Sequence, residues 1–439
     1  MSKPTVTELG NTFHFTWAEE KVTAKVERVY QHRRGDVSAE ITFSTTLVEP
    51  PSMLQHQMVT NLLGPKVRSS LAKDCWARYP QLEEKQWAAM VETCFEHVVN
   101  RSREGEPPIL LVDIDLANEP DDFLLYPILY RGHITVIFGT GGSLKSTLAA
   151  WLAHRVALGM DGDGENVCIL DWESSPQDWA RKLHEVATGF GDPEPAPNVT
   201  YRRMYQPIAD DVASIYALGN ERDIGLWIID SGMWACGGRP EEAENAMAMF
   251  RSLRSLGGTV LIIAHQNNDE NTKRPYGNVM WVNAPRSVIQ VQKGMFTITE
   301  NEVVVGLTQR KVNYGRPFPP MGFSATFETQ DEHRYTPGDS VRVAASNPLD
   351  EADLAANVSM PQRIRHFLKQ GRANKDEIIV AMDAGPGKEK IIISTVDRMA
   401  RGGKLVRLND GKFGLPDGTF SDGNAVSPSN PVIPFPAHG

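Results

Sequence analysis

Residues 139–147 of the chain are Gly-Thr-Gly-Gly-Ser-Leu-Lys-Ser-Thr, and they join two segments of different periodicity. The preceding residues 133–138 form a short apolar run rich in β-branched residues, whereas 144–159 has apolar residues at helical spacing. A strand, a glycine-rich turn and a helix that opens with Lys-Ser form the arrangement in which backbone N–H groups surround a phosphate. The stretch therefore predicts a phosphate-binding loop between a strand and a helix.

The residues of this loop have separate roles in the predicted ATP site. Lys145 would reach the β- and γ-phosphates, and Ser146 would place its hydroxyl on Mg²⁺. Leu144 stands where a glycine normally precedes the lysine, and a left-handed backbone at that position would cost a leucine about 1–2 kcal/mol. The alternative is a glycine-rich turn with an ordinary surface lysine. The residues expected to contact the nucleotide are Gly139, Thr140, Gly141, Gly142, Ser143, Leu144, Lys145, Ser146 and Thr147.

Polar residues end three other apolar runs of this region. Asp230 ends one such run, Glu173 follows a second, and His265 and Gln266 follow a third. Ligands of open α/β sheets bind at the carboxyl edge of the strands, so these side chains are expected near the loop. Asp230 would hold Mg²⁺ through water, Glu173 would polarise the attacking water, and His265 or Gln266 would register the γ-phosphate. A helix-capping glutamate and a structural histidine are the alternatives.

The pattern around the loop also predicts the fold of this region. Strand-like and helical segments alternate through residues 133–265, which indicates a mainly parallel sheet with helices on both faces. Residues 287–310 contain short strands that we expect to form antiparallel hairpins at the edge of that sheet. The predicted α/β domain spans residues 109–328.

The flanking regions predict further domains. Residues 1–108 are expected to form an α+β domain, with a β-meander over 12–47 followed by helices that include 53–63. Residues 329–358 are polar and aperiodic, which predicts a linker. A C-terminal domain is predicted over 359–417, and the Pro-rich residues 418–439 are expected to be disordered.

Net charge, apolar segments and cysteine spacing limit the classes of protein to which the chain can belong. The 439 residues carry a net charge of −10, which argues against a protein that coats nucleic acid over its whole surface but is compatible with a local basic patch. No basic, apolar leader and no membrane-length apolar run occurs, so a cytoplasmic location without membrane partners is expected. The four separated cysteines indicate neither a disulfide framework nor a zinc site.

The C-terminal domain is the locally basic part of the chain. Residues 361–416 contain twelve basic and six acidic residues, in a pattern of helices and a hairpin that resembles a winged helix-turn-helix. A third helix would enter the major groove of duplex DNA and the wing would contact the backbone, although winged helices also dock proteins. The candidate DNA contacts are Lys388, Lys390, Ser394, Arg398, Arg407 and Lys412.

About half of the chain, residues 127–323, resembles the RecA-like ATPases, and specifically the RepA-type hexameric helicases of plasmids and phages. The resemblance rests on the motifs FGTGGSLKS, LDWES, IIDS, IIAHQ, RPYGNVMWVNAPRSVIQVQ and QRKVNYG. It implies a RecA-like sheet flanked by helices, and a homo-oligomeric ring, a hexamer, with ATP between subunits. It also implies that Glu173 is the catalytic glutamate.

The resemblance further implies a basic residue that completes the site of a neighbouring subunit. Lys311 matches the family's Lys-x-Arg pattern, but Asn313 replaces the arginine. Arg310 or Arg316 are alternatives, and each is equally compatible with a solvated arginine.

The family's central DNA-contacting loop corresponds to residues 267–276. Lys273 and Arg274 of this loop are then the candidate contacts to the phosphate backbone of DNA, and solvated charge is the alternative.

Two functions follow from these features. The first is a Mg²⁺-dependent ring ATPase that acts on single-stranded or forked DNA as a helicase or translocase of a mobile element. The second is a DNA-bound regulatory or assembly ATPase whose nucleotide controls oligomerisation without unwinding. A small-molecule kinase is disfavoured, because the sequence contains no lid-like arginine cluster.

Overall fold

The N-terminal part of the chain is an antiparallel sheet covered by two helices. The computed structural model describes residues 2–9, 12–31, 36–48, 52–104, 109–116, 122–267, 273–294, 301–313, 315–331, 334–349, 352–355, 358–382 and 387–416. The first sheet has the strand order β1-β2-β3-β4-β5. Its elements are β1 (Thr5–Leu9), β2 (Thr12–Trp17), β3 (Val22–Gln31), β4 (Val37–Thr45), β5 (Ser52–Asn61), α1 (Pro65–Arg78) and α2 (Glu84–Glu104).

Aromatic side chains fill the core between this sheet and its helices. Trp17, Phe43 and Trp87 are fully buried there, and the rings of Phe43 and Trp87 meet edge to face. Burial of several large aromatic rings accounts for much of the hydrophobic stabilisation of such a small unit. The predicted β-meander over 12–47 is confirmed by the antiparallel pairing of β3 with β2 and β4.

The helix predicted over 53–63 is wrong. These residues belong mostly to β5, which pairs antiparallel with β4. Their apolar spacing fits one face of a helix, but strand pairing to an exposed edge outweighs such a local preference. The first strand, β1, has no counterpart among the predicted elements.

The next region is built on one large sheet. Its elements follow a single 3₁₀ turn at Leu111–Asp113. A separate two-stranded sheet pairs β6 (Phe123–Leu125) with β7 (Leu129–Tyr130). The strands of the large sheet are β8 (Ile134–Gly139), β9 (Asn166–Asp171), β10 (Val199–Arg203), β11 (Ile224–Asp230), β12 (Thr259–His265), β13 (Ser287–Lys293), β14 (Glu302–Val312), β15 (Met321–Glu328) and β16 (Ser340–Ser346). The helices are α3 (Lys145–Leu158), α4 (Pro176–Phe190), α5 (Ile208–Arg222), α6 (Gly232–Ala235), α7 (Ala243–Ser255) and α8 (Met280–Asn283).

The large sheet has the strand order β10-β9-β11-β12-β8-β13-β14-β15-β16. The strands from β10 to β13 in this order are parallel, and β14 to β16 continue the sheet in antiparallel pairs. One face packs on a core with Trp151 of α3 and Trp179 of α4, and the other packs on a core with Phe250 of α7. The predicted mainly parallel sheet with helices on both faces is confirmed.

Two predictions about the edge of this sheet are wrong in part. β13 forms the predicted antiparallel pair with β14, but it also pairs in parallel with β8 and so belongs to the parallel part of the sheet. The predicted linker over 329–358 contains β16, which pairs with β15 and contacts α4. The pattern of β16 is too short to stand out in a polar segment, and its pairing with β15 determines its structure. Residues 295–300 of the predicted hairpin region 287–310 lie outside the described residues.

The C-terminal part has helices followed by a short hairpin, in the predicted order. Its elements are α9 (Ala352–Ala355), α10 (Met360–Lys369), α11 (Lys375–Met382), α12 (Glu389–Arg401), β17 (Val406–Arg407) and β18 (Phe413–Gly414). Ile364, Val396 and Phe413 form a separate small core. Residues 418–439 lie outside the described residues. Within the described ranges, no helix has both the length and the apolar character that a bilayer crossing requires.

Candidate functional site

The glycine-rich loop connects β8 to α3 at the carboxyl edge of the parallel strands. Leu144 is the N-cap of α3 with φ 60° and ψ 23°, so its backbone is left-handed. Its side chain is half-buried and packs against the core beneath α3. A Cβ at Gly139 would lie 2.2 Å from the Val291 carbonyl oxygen, which explains the glycine there. The leucine is therefore accommodated by its packing, at the cost of a strained backbone.

The ammonium group of Lys145 lies inside this loop. Its Nζ donates to the carbonyl oxygens of Thr140 at 2.7 Å and Gly139 at 3.1 Å. Burial lowers the pKa of Lys145, whereas the nearby Asp230 and Glu173 carboxylates raise it. The loop carbonyls thus hold the charge at the position from which a lysine reaches bound phosphates.

Ser146 and Asp230, far apart in sequence, meet at the start of α3. The Ser146 hydroxyl donates to Asp230 Oδ2 at 3.1 Å. Asp230 ends β11, and burial, followed by repulsion from Glu173 and Asp171, raises its pKa to about 6. The structure therefore brings the two predicted magnesium residues together, beside the Lys145 ammonium group and two further carboxylates.

Glu173 follows β9 and lies beside two residues of neighbouring strands. The Ser231 hydroxyl donates to Glu173 Oε1, and His265 Nε2 lies 3.9 Å from the same oxygen. Interaction with His265 is the largest cause that lowers the pKa of Glu173; the Ser231 hydrogen bond and Lys145 act in the same direction, and burial opposes them. The carboxylate is therefore ionised at neutral pH and can accept a proton from water.

Asp171 holds the turn that carries Glu173, and the sequence patterns did not indicate it. Its fully buried carboxylate accepts hydrogen bonds from Glu173 N at 3.0 Å, Ser174 Oγ at 2.9 Å and the Tyr201 hydroxyl at 2.8 Å. Arg203 Nη1 lies 3.6 Å from it. An acid two residues before the candidate catalytic glutamate is the signal that could have indicated this role.

Gln266 also lies at the loop, as predicted. Its backbone N–H donates to the Gly139 carbonyl at 3.1 Å, and its side-chain Oε1 accepts from Gln290 Nε2 at 3.0 Å. Gln290 in turn accepts from Arg310. The structure thus gathers Lys145, Ser146, Asp230, Glu173, His265 and Gln266 at one edge of the sheet.

The structure does not bring Lys311 to this edge of its own chain. Lys311 pairs in register with Val288 near the start of β13, at the opposite end of the parallel strands. Its ammonium group donates to the carbonyl oxygens of Asn283 and Pro285. Asn313 is exposed beyond this end of β14. A role for Lys311 requires a second subunit and stays a prediction.

Lys273 and Arg274 lie close to the site, where the chain returns from residues that are not described. Both side chains are exposed, and Tyr276 N donates to the His265 carbonyl at 2.8 Å. Residues 268–272 of the predicted loop lie outside the described residues. A cavity of about 700 Å³ adjoins this segment, and Trp234, Arg239 and Tyr276 line it together with acidic residues that include Glu241.

The basic residues predicted to contact DNA lie on the C-terminal part. Lys390, Ser394 and Arg398 share an exposed stripe of α12, and Lys388 precedes that helix. Arg407 on β17 is exposed and Lys412 is half-buried. Ser394 Oγ donates to the Ile391 carbonyl of its own helix at 2.9 Å. DNA contact by this surface stays a prediction.

The comparisons with known proteins concern the central part of the chain. Residues 102–271 match the family model described as an AAA domain. The curated proteins include no match. Solved structures that match include a KaiC-like protein of Pyrococcus horikoshii, with 16% identity, 49% of this chain and 93% of that chain covered, and a TM-score of 0.35. The AAA-domain match includes the glycine-rich loop and the parallel strands from β8 to β12, and it supports a P-loop ATPase domain in this part of the chain.

Proposed function

We propose that the chain is a Mg²⁺-dependent ATPase that assembles into a ring and acts on DNA as a helicase or translocase. One observation carries the enzymatic part of the proposal. Ser146, Asp230 and Glu173 come from three separate segments and meet beside Lys145. Parallel strands gather their ends at one edge, but packing alone does not select a lysine, a hydroxyl and two carboxylates there.

The residues present fit a magnesium ion. Mg²⁺ in nucleotide sites takes one or two protein oxygens and completes its shell with phosphates and water. Ser146 Oγ and Asp230 Oδ2, 3.1 Å apart, supply this donor set, and a cation would relieve the repulsion among Asp230, Glu173 and Asp171. Among the described residues no group of three His, Cys, Asp or Glu could hold a metal ion.

Each side chain of the site has a defined task in hydrolysis. Bound Mg²⁺ would neutralise charge that develops on the phosphate oxygens. Glu173, kept ionised by its neighbours, orients a water molecule for in-line attack and accepts its proton. Lys145 exchanges its loop carbonyls for phosphate oxygens and stabilises the transition state electrostatically.

The position of Lys311 supports assembly into a ring. A cation at the edge opposite its own loop cannot serve the nucleotide of its own chain. In a closed ring with head-to-tail contacts, one edge of each subunit faces the other edge of its neighbour. Lys311 then approaches the neighbouring phosphates once it releases the Asn283 and Pro285 carbonyls.

Two surfaces support DNA as the partner. The exposed stripe of α12 and the adjoining hairpin carry Lys390, Arg398 and Arg407, within a C-terminal region with twice as many basic as acidic residues. Such a stripe suits the phosphate backbone of duplex DNA. Near the ATPase site, the exposed Trp234 beside Arg239 offers a stacking surface for single-stranded bases.

A second candidate is a DNA-bound regulatory ATPase that does not unwind DNA. The replacement of the expected arginine by Asn313, together with the engagement of Lys311 by its own chain, favours slow turnover. ATP-driven strand displacement on a forked duplex distinguishes the two functions. Displacement supports the helicase, whereas ATP-dependent assembly on DNA without displacement supports the regulator.

The ATPase itself is tested by Lys145→Ala. We expect this variant to lose ATP hydrolysis while its thermal unfolding stays close to that of the wild type. Lys66→Ala, at an exposed position of α1, serves as the control and should retain full activity. Normal hydrolysis by Lys145→Ala would show that the proposed site is wrong.

A further inference from the structure

Three polar side chains form a continuous hydrogen-bonded chain across the large sheet. Arg310 on β14 donates through Nε to Gln290 Oε1 on β13 at 2.9 Å, and a second guanidinium nitrogen, Nη2, donates to the same oxygen. Gln290 Nε2 donates to Gln266 Oε1 at 3.0 Å. The three residues come from three separate segments and are joined only by tertiary structure.

This chain passes over the end of β8, where the phosphate loop begins. β8 lies between β12 and β13 in the sheet, and Gln290 pairs in register with Phe138 of β8. Gln266 follows β12 and donates its backbone N–H to the Gly139 carbonyl. The Gln266 amide is therefore fixed beside the first residue of the loop, near the position of a terminal phosphate.

The donor and acceptor inventory of the three side chains fixes both amide orientations. A guanidinium can only donate, so the oxygen of Gln290 must face Arg310. Gln290 is only 4% exposed, so its NH₂ group needs a partner and finds the Gln266 oxygen. The NH₂ group of Gln266 then points away from Gln290, and it has no hydrogen-bond partner within the described part of the chain.

We propose that Arg310 and Gln290 are positioning residues that set the polarity of Gln266, so that Gln266 presents N–H donors to the terminal phosphate of ATP. This inference rests on the proposed ATPase function. Phosphate oxygens only accept hydrogen bonds, so an amide oxygen in this place would repel them. ADP lacks the terminal phosphate, and the arrangement therefore favours ATP over ADP.

Gln290→Glu tests the polarity, because a carboxylate at this position can only accept. Glu at position 290 would keep its bond to Arg310 but would draw the NH₂ group of Gln266 towards itself, which turns the Gln266 oxygen to the phosphate. We expect the ratio of affinities for a non-hydrolysable ATP analogue and for ADP to fall about tenfold or more, since hydrogen bonds to charged groups are worth about 1.5–3 kcal/mol. Titration with both nucleotides measures this ratio, and ADP affinity reports an intact site.

Arg310→Met is the charge-matched control. It removes one positive charge, as Gln290→Glu adds one negative charge, but it leaves both amides free to take either orientation. We expect the affinity ratio to fall only about two- to fivefold. Equal losses in the two variants would mean that charge alone acts, and would overturn the proposal.

Gln290→Met keeps the test valid where the glutamate variant does not fold. It removes both hydrogen bonds without a charge, and we expect an intermediate loss of the affinity ratio with ADP affinity unchanged. A folded Gln290→Met or Gln290→Glu protein with the wild-type ratio overturns the polarity role. If the wild type binds neither nucleotide, the proposed function itself fails and this inference fails with it.

Discussion

Leu144 combines backbone strain with useful packing at a single residue. Its φ of 60° is unfavourable for a leucine by about 1–2 kcal/mol. Against this, its side chain packs on the core beneath α3, and a glycine in its place would enlarge the conformational freedom of the unfolded chain. The two effects oppose each other, which explains how the position tolerates a leucine.

We expect Leu144→Gly to change the free energy of unfolding by less than about 1 kcal/mol, because strain relief offsets the lost packing. Leu144→Ala loses the packing but keeps the left-handed strain, so it should be less stable than the glycine variant. Urea denaturation gives this order, and nucleotide titration should show affinity within about tenfold for Leu144→Gly. If the alanine variant is more stable than the glycine variant, the backbone at residue 144 is not strained.

The buried carboxylate of Asp230 lowers the stability of the metal-free protein at neutral pH. Its pKa is about 6 in the folded protein, above the ordinary value of 3.8. The folded state therefore binds the proton more tightly than the unfolded state, so this group stabilises the fold below about pH 4. That contribution is lost as the pH rises through 6. Above pH 6 the ionised carboxylate destabilises the folded state, and a bound cation would offset this effect.

Asp230→Asn should therefore stabilise the metal-free protein at pH 7.5, by up to about 3 kcal/mol at 1.36 kcal/mol per pKa unit. The gain should shrink towards pH 4.5, where the wild-type carboxyl is protonated, and ATP hydrolysis should be lost. Urea denaturation at the two pH values measures the gain. Asp163→Asn, at an exposed position, should change little at either pH. A pH-independent gain would refute the assigned pKa.

At the residue scale the sequence predicted that the loop, Asp230 and Glu173 lie at one edge of the sheet, because strand-end positions and loop spacing are local features. It left the backbone conformation of Leu144 open. It did not indicate Asp171, Gln290 or Arg310 as partners. Their contacts depend on which strands are neighbours, as in the bond from Gln290 to Gln266 across β8. Sequence spacing contains no information on such neighbours until the strand order is known.

The turn between β9 and α4 shows how one buried residue organises an element. Asp171 accepts from the backbone N–H of Glu173 through one carboxylate oxygen and from Ser174 and Tyr201 through the other. Ser175 then caps α4 in a reciprocal capping box with Asp178. These bonds fix the backbone on both sides of Glu173, so its carboxylate has a defined direction.

Asp171→Asn should disturb this turn, because an amide NH₂ group would face either the Glu173 N–H or the cluster of hydroxyl donors. We expect a loss of about 1–3 kcal/mol in stability, as for a buried donor left without an acceptor, together with a clear fall in kcat. Tyr201→Phe removes only one donor, and it should cost about 1 kcal/mol with kcat nearly unchanged. Wild-type kcat in Asp171→Asn would show that the turn does not depend on this carboxylate.

The secondary-structure predictions were wrong where strand pairing, and not the local sequence pattern, determines the structure. Residues 53–63 have apolar spacing compatible with a helix, yet most of them form β5 beside β4. β13 has the composition of a hairpin strand, and its parallel pairing with β8 is a property of the sheet. The helix predicted over 144–159 is observed as α3, because helical periodicity is a local property of the sequence.

At the scale of the whole molecule, β16 closes the large sheet and joins it to α4. Val341 of β16 is buried, and Val343 packs on the same core as Trp151 and Trp179. A Cβ at Gly189 of α4 would lie 2.1 Å from the Val341 carbonyl oxygen, so the helix and the strand are in direct backbone contact. The ATPase domain therefore extends beyond the residue at which the sequence predicted its end.

Gly189→Ala should weaken this contact without shortening the chain. The added methyl group meets a backbone atom that cannot move independently, and overpacking of this kind costs about 1–3 kcal/mol. Gly162→Ala is the matched control, because a Cβ there meets nothing within 4 Å and the backbone is not left-handed. We expect the unfolding temperature to fall for Gly189→Ala and to stay unchanged for Gly162→Ala. In a second test, a chain that ends at residue 328 should be less stable than one that ends at residue 349. If the two chains are equally stable and Gly189→Ala leaves the unfolding temperature unchanged, β16 contributes nothing to the ATPase domain. The domain boundary predicted from the sequence would then be correct.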